Sequence, residues 1–146
     1  MLLGNSPAKI DDKGRVKIPT AFRAPIEKAF GRNFFVTSTN GRFVRLYPMP
    51  VWMGILEKLS KISSFNPAAA RYLDAVNYFG ATAAMDRQGR VLIQPLLRAR
   101  AQMNGEVAVL GQQNFLEVWS RAQFDERLSR DPLSDDDLIE LATLGF

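Results

Sequence analysis

Apolar and polar residues alternate in the segment Arg15–Ile18, and this period predicts a β-strand. Val16 and Ile18 are apolar, whereas Arg15 and Lys17 are basic. Successive side chains of a pleated strand point to opposite faces, so the apolar pair shares one face and the basic pair shares the other. The sequence therefore predicts a strand that is buried on one side and cationic on the other.

The residues before this strand predict the first arm of a hairpin. Gly14 adopts a positive φ at little cost and suits the tight turn, with Ala8–Ile10 as the preceding strand. Two leucines follow Met1, but the cluster Gly4–Pro7 is rich in turn-forming residues. The expected arrangement is a short strand, a turn at this cluster and then the hairpin.

The rest of the first half alternates between helical and strand patterns. The Trp52, Ile55, Leu56 and Leu59 spacing indicates an amphipathic helix whose apolar face either joins the core, the favoured interpretation, or contacts another subunit. The predicted elements are a helix over Thr20–Ala29, a hairpin of Phe34–Ser38 and Arg42–Tyr47 with an Asn-Gly turn, a helix from Pro48 to Ile62, and a helix from the N-cap Asn66 to Gly80.

An edited copy of the first hairpin returns 75 residues later, as MDRQGRVLIQP at positions 85–95. Internal duplication explains the match. At this offset the identical pairs are Asp11 and Asp86, Gly14 and Gly89, Arg15 and Arg90, Val16 and Val91, Ile18 and Ile93, and Arg23 and Arg98. Farther along, the offset falls to 72, and Phe43, Leu46 and Tyr47 correspond to Phe115, Val118 and Trp119.

The second half is therefore predicted to repeat the first. Its expected elements are strands at Ala81–Met85 and Arg90–Ile93, a short segment after Pro95, a hairpin of Glu106–Leu110 and Phe115–Trp119, a helix with a Ser120–Gln123 capping box, and a tail helix from Ser134. We expect an α+β chain divided into a first repeat at 1–62, a connecting helix at 63–80, a second repeat at 81–130 and an acidic helix at 131–146. Each repeat is small for an independent core, so the two are expected to fold against each other.

Composition removes most enzyme classes. The chain of 146 residues contains neither cysteine nor histidine, which excludes disulfides, thiolate metal sites and Ser-His catalytic triads. We expect a protein that is not an enzyme and binds neither a cofactor nor a metal. The sequence has no apolar run long enough to span a membrane and no signal-peptide pattern at its start, so a cytoplasmic location is expected.

The formal charge of +4 is distributed unevenly. Residues 1–124 carry 17 basic and 8 acidic side chains, whereas residues 125–146 carry two basic and seven acidic ones. A basic body indicates a polyanionic partner, although charge alone is a weak indicator. The Asp135–Asp137 cluster resembles a magnesium site, but the first turn of a helix, where the dipole favours negative charge, explains it better.

The chemistry common to both copies is an aspartate followed four residues later by an arginine. A structural ion pair beside a turn is one explanation, since such pairs are common at surfaces. The other is that two equivalent hairpins present Arg15 and Arg90 to a DNA major groove, where arginine reads guanine O6 and N7. In that case the surrounding cations neutralise phosphates: Lys9, Lys13, Lys17, Arg23, Arg87 and Arg98.

Three motifs together resemble the MraZ family: the Asp-x-x-x-Arg pair, GRV-x-I after it in both halves, and SSFNPAAAR at positions 63–71 between them. The resemblance implies two tandem AbrB-like swapped-hairpin repeats, with flanking helices, that interlock with pseudo-two-fold symmetry. It further implies a ring-shaped homo-oligomer that binds short direct repeats in double-stranded promoter DNA. The DNA-contact motif then falls on Asp11 and Arg15, and on Asp86 and Arg90, with Lys13 in the first turn.

The resemblance also implies a nucleoid-associated regulator, expected to be a repressor, of a division and cell-wall gene cluster that includes its own gene. Two of the differences between the copies matter for binding: Gln88 stands where the first copy has Lys13, and Gln94 stands where it has Pro19. We therefore expect the first half to hold phosphates more tightly. The competing hypotheses are a basic ring that binds an acidic protein partner, and a magnesium-dependent nuclease.

Overall fold

The computed structural model describes the whole chain, Met1–Phe146, as a mixture of strands and helices, which confirms the α+β class. None of the helices combines the length and the apolar character that crossing a membrane requires. The strands are β1 Leu2–Ile10, β2 Arg15–Lys17, β3 Asn33–Thr37, β4 Val44–Pro48, β5 Ala81–Ala84, β6 Arg90–Leu92, β7 Gly105–Gln113 and β8 Leu116–Ser120. The helices are α1 Thr20–Phe30, α2 Met49–Ser60, α3 Pro67–Tyr78, α4 Pro95–Arg100, α5 Arg121–Arg130 and α6 Asp135–Thr143.

All eight strands form one antiparallel sheet in the order β5-β3-β4-β8-β7-β1-β2-β6. Each repeat lends its first strand to the other: β1 pairs along its whole length with β7 of the second repeat, and β5 pairs with β3 of the first. The short strands β2 and β6 pair with each other. Because neither repeat completes its own sheet, the halves are interlocked, as the resemblance implied.

A pseudo-two-fold axis passes through two pairs of equivalent residues. Val16 pairs with Val91 between β2 and β6, and Arg45 pairs with Glu117 between β4 and β8. Arg45 Nε donates to Glu117 Oε2 at 3.2 Å, and Trp119 Nε1 donates to Glu117 Oε1 at 2.7 Å. The axis brings these equivalent positions directly opposite each other, where two like charges would destabilise the strand pair. Because the pair has diverged to opposite charges, it instead stabilises the interface between the halves by about 0.2–1 kcal/mol.

The core is shared by both repeats. One cluster combines Val16 and Ile18 with Val91 and Ile93, all buried, under side chains of α1 and α4. A smaller cluster lies where α2 and α3 cover the sheet, and in it Trp52 stacks on Phe35 with ring centroids 4.6 Å apart. The interpretation of the α2 apolar face as core is confirmed for Trp52, Ile55 and Leu56, whereas Leu59 is half-buried outside the cluster. Ile62, beyond the helix end, is 45% exposed.

The prediction of a turn at Gly4–Pro7 is wrong, because these residues continue β1. Pairing with β7 holds them extended, and this long-range contact outweighs their local preference for a turn. Proline has no backbone N–H to donate to a neighbouring strand. Pro7 is tolerated because β1 pairs with its other neighbour, β2, only at Ile10, so no β2 strand lies beside Pro7.

The helix ends follow the predictions in three of the four predicted cases. Asn66 accepts hydrogen bonds from the backbone of the first turn of α3, and Ser134 forms a capping box with Asp137. The predicted capping box at Ser120 is wrong, since its side chain makes no cap hydrogen bond. Gly80 directly follows the C-cap Phe79, so α3 ends where it was predicted to end, although Gly80 does not adopt a positive φ. A Cβ at Gly80 would lie 2.3 Å from the Phe35 ring.

Candidate nucleic-acid interface

The first hairpin turn is organised by the carboxylate of Asp11. Its Oδ1 accepts hydrogen bonds from the backbone nitrogens of Lys13 at 3.0 Å and Arg15 at 2.9 Å, while its Oδ2 accepts from Arg15 Nε at 2.8 Å. Gly14 completes the turn with a φ of +83°. The two terminal guanidinium nitrogens of Arg15 make no hydrogen bond within the chain, so the aspartate fixes the arginine and leaves its outer end free.

The second turn has the same geometry with a different residue at its tip. Asp86 Oδ1 accepts from the backbone nitrogens of Gln88 at 2.9 Å and Arg90 at 2.8 Å, and its Oδ2 accepts from Arg90 Nε at 2.8 Å. Gly89 has a φ of +80°. Since a glutamine replaces the lysine of the first turn without altering the bonds, the aspartate, glycine and arginine specify the arrangement.

Both turn aspartates are stabilised as anions. The backbone N–H of Arg90 is the largest cause that lowers the pKa of Asp86 to about 2; partial desolvation opposes it, and the Arg90 side chain assists it. The pKa of Asp11 is lowered by the equivalent backbone N–H of Arg15. Both carboxylates are therefore charged throughout the neutral range and hold their arginines at any pH near 7.

Each turn is held in place by the opposite repeat. Ile18 N donates to Gly89 O at 2.8 Å, and Ile93 N donates to Gly14 O at 3.0 Å. These reciprocal bonds cross between the halves, so the position of one turn depends on the strand of the other.

Two arginine side chains add further contacts between each helix and the turn of the opposite repeat, and the sequence did not predict these contacts. Arg23 of α1 lies against Gly89 and donates to the Arg87 carbonyl oxygen, and Arg98 of α4 lies over Gly14. Sequence reasoning gave both side chains only a phosphate-binding role. Arginine occurs at both positions of the 75-residue repeat, and this match could have indicated that the two side chains play the same positioning role.

The arginines of the two turns meet on one surface. The β2–β6 register pairs Arg15 with Leu92 and Lys17 with Arg90, on either side of the buried valine pair. Residues that pair directly share a face, so these four side chains form one solvent-facing surface, which we call the β2–β6 ribbon. Lys17 and Leu92 are exposed on it, whereas Arg15 and Arg90 are half-buried. Arg15 and Arg90 are diagonal neighbours on it, with backbones about 7–8 Å apart.

Three of the other predicted cations are exposed on or beside the ribbon and form no ion pair within the chain. Lys13 lies at the tip of the first turn, Arg87 lies in the second, and Lys17 lies within the ribbon; all three are exposed. Leu92 was not predicted as part of this surface, although it stands in the second copy where the first has Lys17. No three acidic side chains converge as metal ligands would.

Comparison with known proteins places the chain in a family. The model of the family described as "MraZ protein, putative antitoxin-like" matches residues 1–75 and 79–141. A protein named Transcriptional regulator MraZ from Acidobacterium capsulatum is 40% identical over 146 residues, and one from Koribacter versatilis is 42% identical over 147, each covering both chains completely. A third, from Thermomicrobium roseum, is 38% identical over 82% of each chain. The interlocked repeats, the paired Asp-x-x-x-Arg turns and these matches agree, and the chain belongs to the MraZ family.

Proposed function

We propose that the protein is a sequence-specific transcriptional regulator that binds double-stranded DNA through the β2–β6 ribbon and is not an enzyme. The observation that carries the proposal is the pair Arg15 and Arg90, which lie diagonally on one solvent-facing ribbon, each tied to an aspartate through Nε with its terminal nitrogens free. The relatives named as transcriptional regulators support the same role.

The ribbon has the chemistry required for base readout. A two-stranded β-ribbon fits the major groove, and there an arginine donates two hydrogen bonds to guanine O6 and N7. The fixed Nε contact means that little side-chain freedom remains to be lost on binding, which favours affinity. Arg15 and Arg90 each read one guanine in this proposal, and Asp11 and Asp86 position them without contacting base edges.

Phosphate contacts supply most of the affinity. Lys13, Lys17 and Arg87 are exposed and form no ion pair, so they are free to approach the backbone on either side of the groove. Each phosphate contact releases counterions and makes binding weaker as salt rises. Because the second ribbon strand carries Leu92 instead of a lysine, the first half makes the larger phosphate contribution.

Two guanine contacts are too few to select a promoter, and an oligomer overcomes this limit. Several units joined in a homo-oligomeric ring engage several short direct repeats, and the linked sites gain affinity through effective concentration. We extend the proposal accordingly to a nucleoid-associated repressor of a division and cell-wall gene cluster that includes its own gene. This extension rests on the family resemblance.

Binding to DNA from upstream of the protein's own gene, against scrambled DNA of equal length across a salt series, tests the proposal. We expect tight binding to the upstream DNA that is lost in Arg15→Ala/Arg90→Ala. The matched control, Arg42→Ala/Arg71→Ala, removes the same charge from two exposed arginines without ion pairs, and retains specificity. Equal binding to both DNAs, little altered by the ribbon substitutions, would favour a basic module for an acidic partner instead.

The nuclease hypothesis is tested with the same protein and DNA, to which magnesium is added. Asp11 and Asp86 are each occupied by their own turn and arginine, so the proposal predicts that magnesium leaves the DNA intact over hours of incubation. Cleavage that depends on magnesium and disappears in Asp11→Asn/Asp86→Asn would replace the regulator role with a catalytic one.

A further inference from the structure

A single apolar side chain interrupts the cationic surface of the ribbon. Leu92 is 49% exposed and shares its face with Arg15, Lys17 and Arg90. It occupies the position equivalent to Lys17 in the other repeat. Within the four-residue ribbon, the two halves therefore share the arginine and differ in chemistry at this one pair of positions.

The core does not require Leu92. Its strand neighbours Val91 and Ile93 are fully buried and fill the interior, while Leu92 points to the opposite face. Isolated exposed leucines are ordinary on protein surfaces, so exposure alone has no meaning. The position is informative because the register fixes Leu92 directly across from Arg15, whose guanidinium is itself fixed by Asp11.

The spacing matches neighbouring base pairs. Directly paired residues have Cβ atoms about 4.5–5.5 Å apart, and base pairs are stacked about 3.4 Å apart. If Arg15 reaches a guanine, Leu92 therefore lies over the adjacent base pair. The apolar group that a base pair presents in the major groove is the C5-methyl of thymine.

We propose that Leu92 contacts the C5-methyl of a thymine in the base pair next to the guanine bound by Arg15. This inference rests on the proposed DNA-binding function and adds a specificity-determining residue to it. Lys17, in the equivalent place beside Arg90, ends in a charged ammonium group, which reaches a phosphate instead of a thymine methyl. The two hairpins thus read different elements, one a guanine with a thymine and the other a guanine alone.

This difference gives the unit a direction on DNA. A surface with perfect two-fold symmetry binds a site equally well in both orientations, and such a unit matches inverted repeats. The exchange of a leucine for a lysine breaks the symmetry in the contact surface itself. Direct repeats then become the natural target, since each unit selects one orientation.

Replacing thymines one at a time by uracil in the bound DNA tests the inference, because uracil lacks only the methyl group. With the wild-type protein we expect one position at which uracil weakens binding about fourfold, the equivalent of one buried methyl group. In Leu92→Ala that sensitivity disappears. In the control Leu96→Ala, which truncates a partly exposed leucine of α4 outside the ribbon, it persists.

A reciprocal variant provides a second readout. Lys17→Leu is expected to create a new uracil-sensitive position next to the guanine read by Arg90, when a thymine is placed there. Wild-type binding that is unchanged by uracil at every position would overturn the inference, while the DNA-binding function would stand if Arg15→Ala/Arg90→Ala still abolished specificity. If no sequence-specific binding exists at all, the proposed function fails and this inference fails with it.

Discussion

Replacing Gly14 by alanine tests how the opposite repeat holds the first turn. Gly14 has a φ of +83°, a conformation that costs an alanine about 1–2 kcal/mol. A Cβ at this position would also lie 1.3 Å from Arg98 Nη1, so the guanidinium must leave the turn. Because arginine is flexible, we place this second cost at the low end of the overpacking range, about 1 kcal/mol.

Gly4→Ala is the matched control. Gly4 has a φ of +90°, but an added Cβ would meet nothing within 4 Å. Gly4→Ala should therefore lower the free energy of unfolding by the conformational cost alone, about 1–2 kcal/mol. Gly14→Ala should lower it by about 2–3 kcal/mol, because the displacement of Arg98 is added. In a chain of this length the larger value lowers Tm by about 4–12 °C.

Urea unfolding of both variants, together with DNA binding, measures the difference. Gly14→Ala should also lose sequence-specific affinity, because it shifts the turn that aligns Arg15, whereas Gly4→Ala should retain it. In the Arg98→Ala background the excess cost of Gly14→Ala should vanish. Equal destabilisation by Gly14→Ala and Gly4→Ala in the wild-type background would refute the proposed contact between Arg98 and the turn.

Three further predictions address other parts of the molecule. Glu117→Ala leaves the half-buried Arg45 without its ion-pair partner and Trp119 Nε1 without its acceptor, and should lower the free energy of unfolding by about 1–3 kcal/mol, measured in urea; a loss below about 0.5 kcal/mol would contradict the axial ion pair. The pKa of Asp86 is about 2 in the folded protein and about 3.9 in the unfolded chain, so the stability that this carboxylate contributes is present above pH 4 and is lost as the pH falls through 2. Specific DNA affinity should therefore stay constant from about pH 5.5 to 8. A midpoint near 4 in an NMR titration of the Asp86 carboxyl would contradict the lowered pKa. Lys13→Ala should weaken binding to all sequences alike and reduce the salt slope by about one, whereas a change in base preference would assign this lysine to base readout.

The turns were predictable from sequence because their geometry is local. An aspartate that caps the backbone four residues before an arginine, with a glycine at positive φ between them, requires no distant partner. The duplication then identified the second copy and the equivalence of Arg15 and Arg90. The helix caps at Asn66 and Ser134 were predictable for the same reason.

Features that depend on the partner repeat were not predictable. The extended course of β1 through Gly4–Pro7 depends on pairing with β7, about a hundred residues away. The roles of Arg23 and Arg98 require knowledge of which turn each helix meets. Comparison of the two copies shows that Leu92 replaces Lys17, but the position of Leu92 across from Arg15 follows only from the β2–β6 register.

Guanine N7 footprinting on the bound DNA tests the central claim most directly. Dimethyl sulfate methylates guanine N7 in the major groove, the atom that we assign to Arg15 and Arg90. The account predicts two protected guanines in each bound repeat, one exposed again by Arg15→Ala and the other by Arg90→Ala. Protection that both variants leave unchanged, at equal occupancy, would contradict readout by the ribbon.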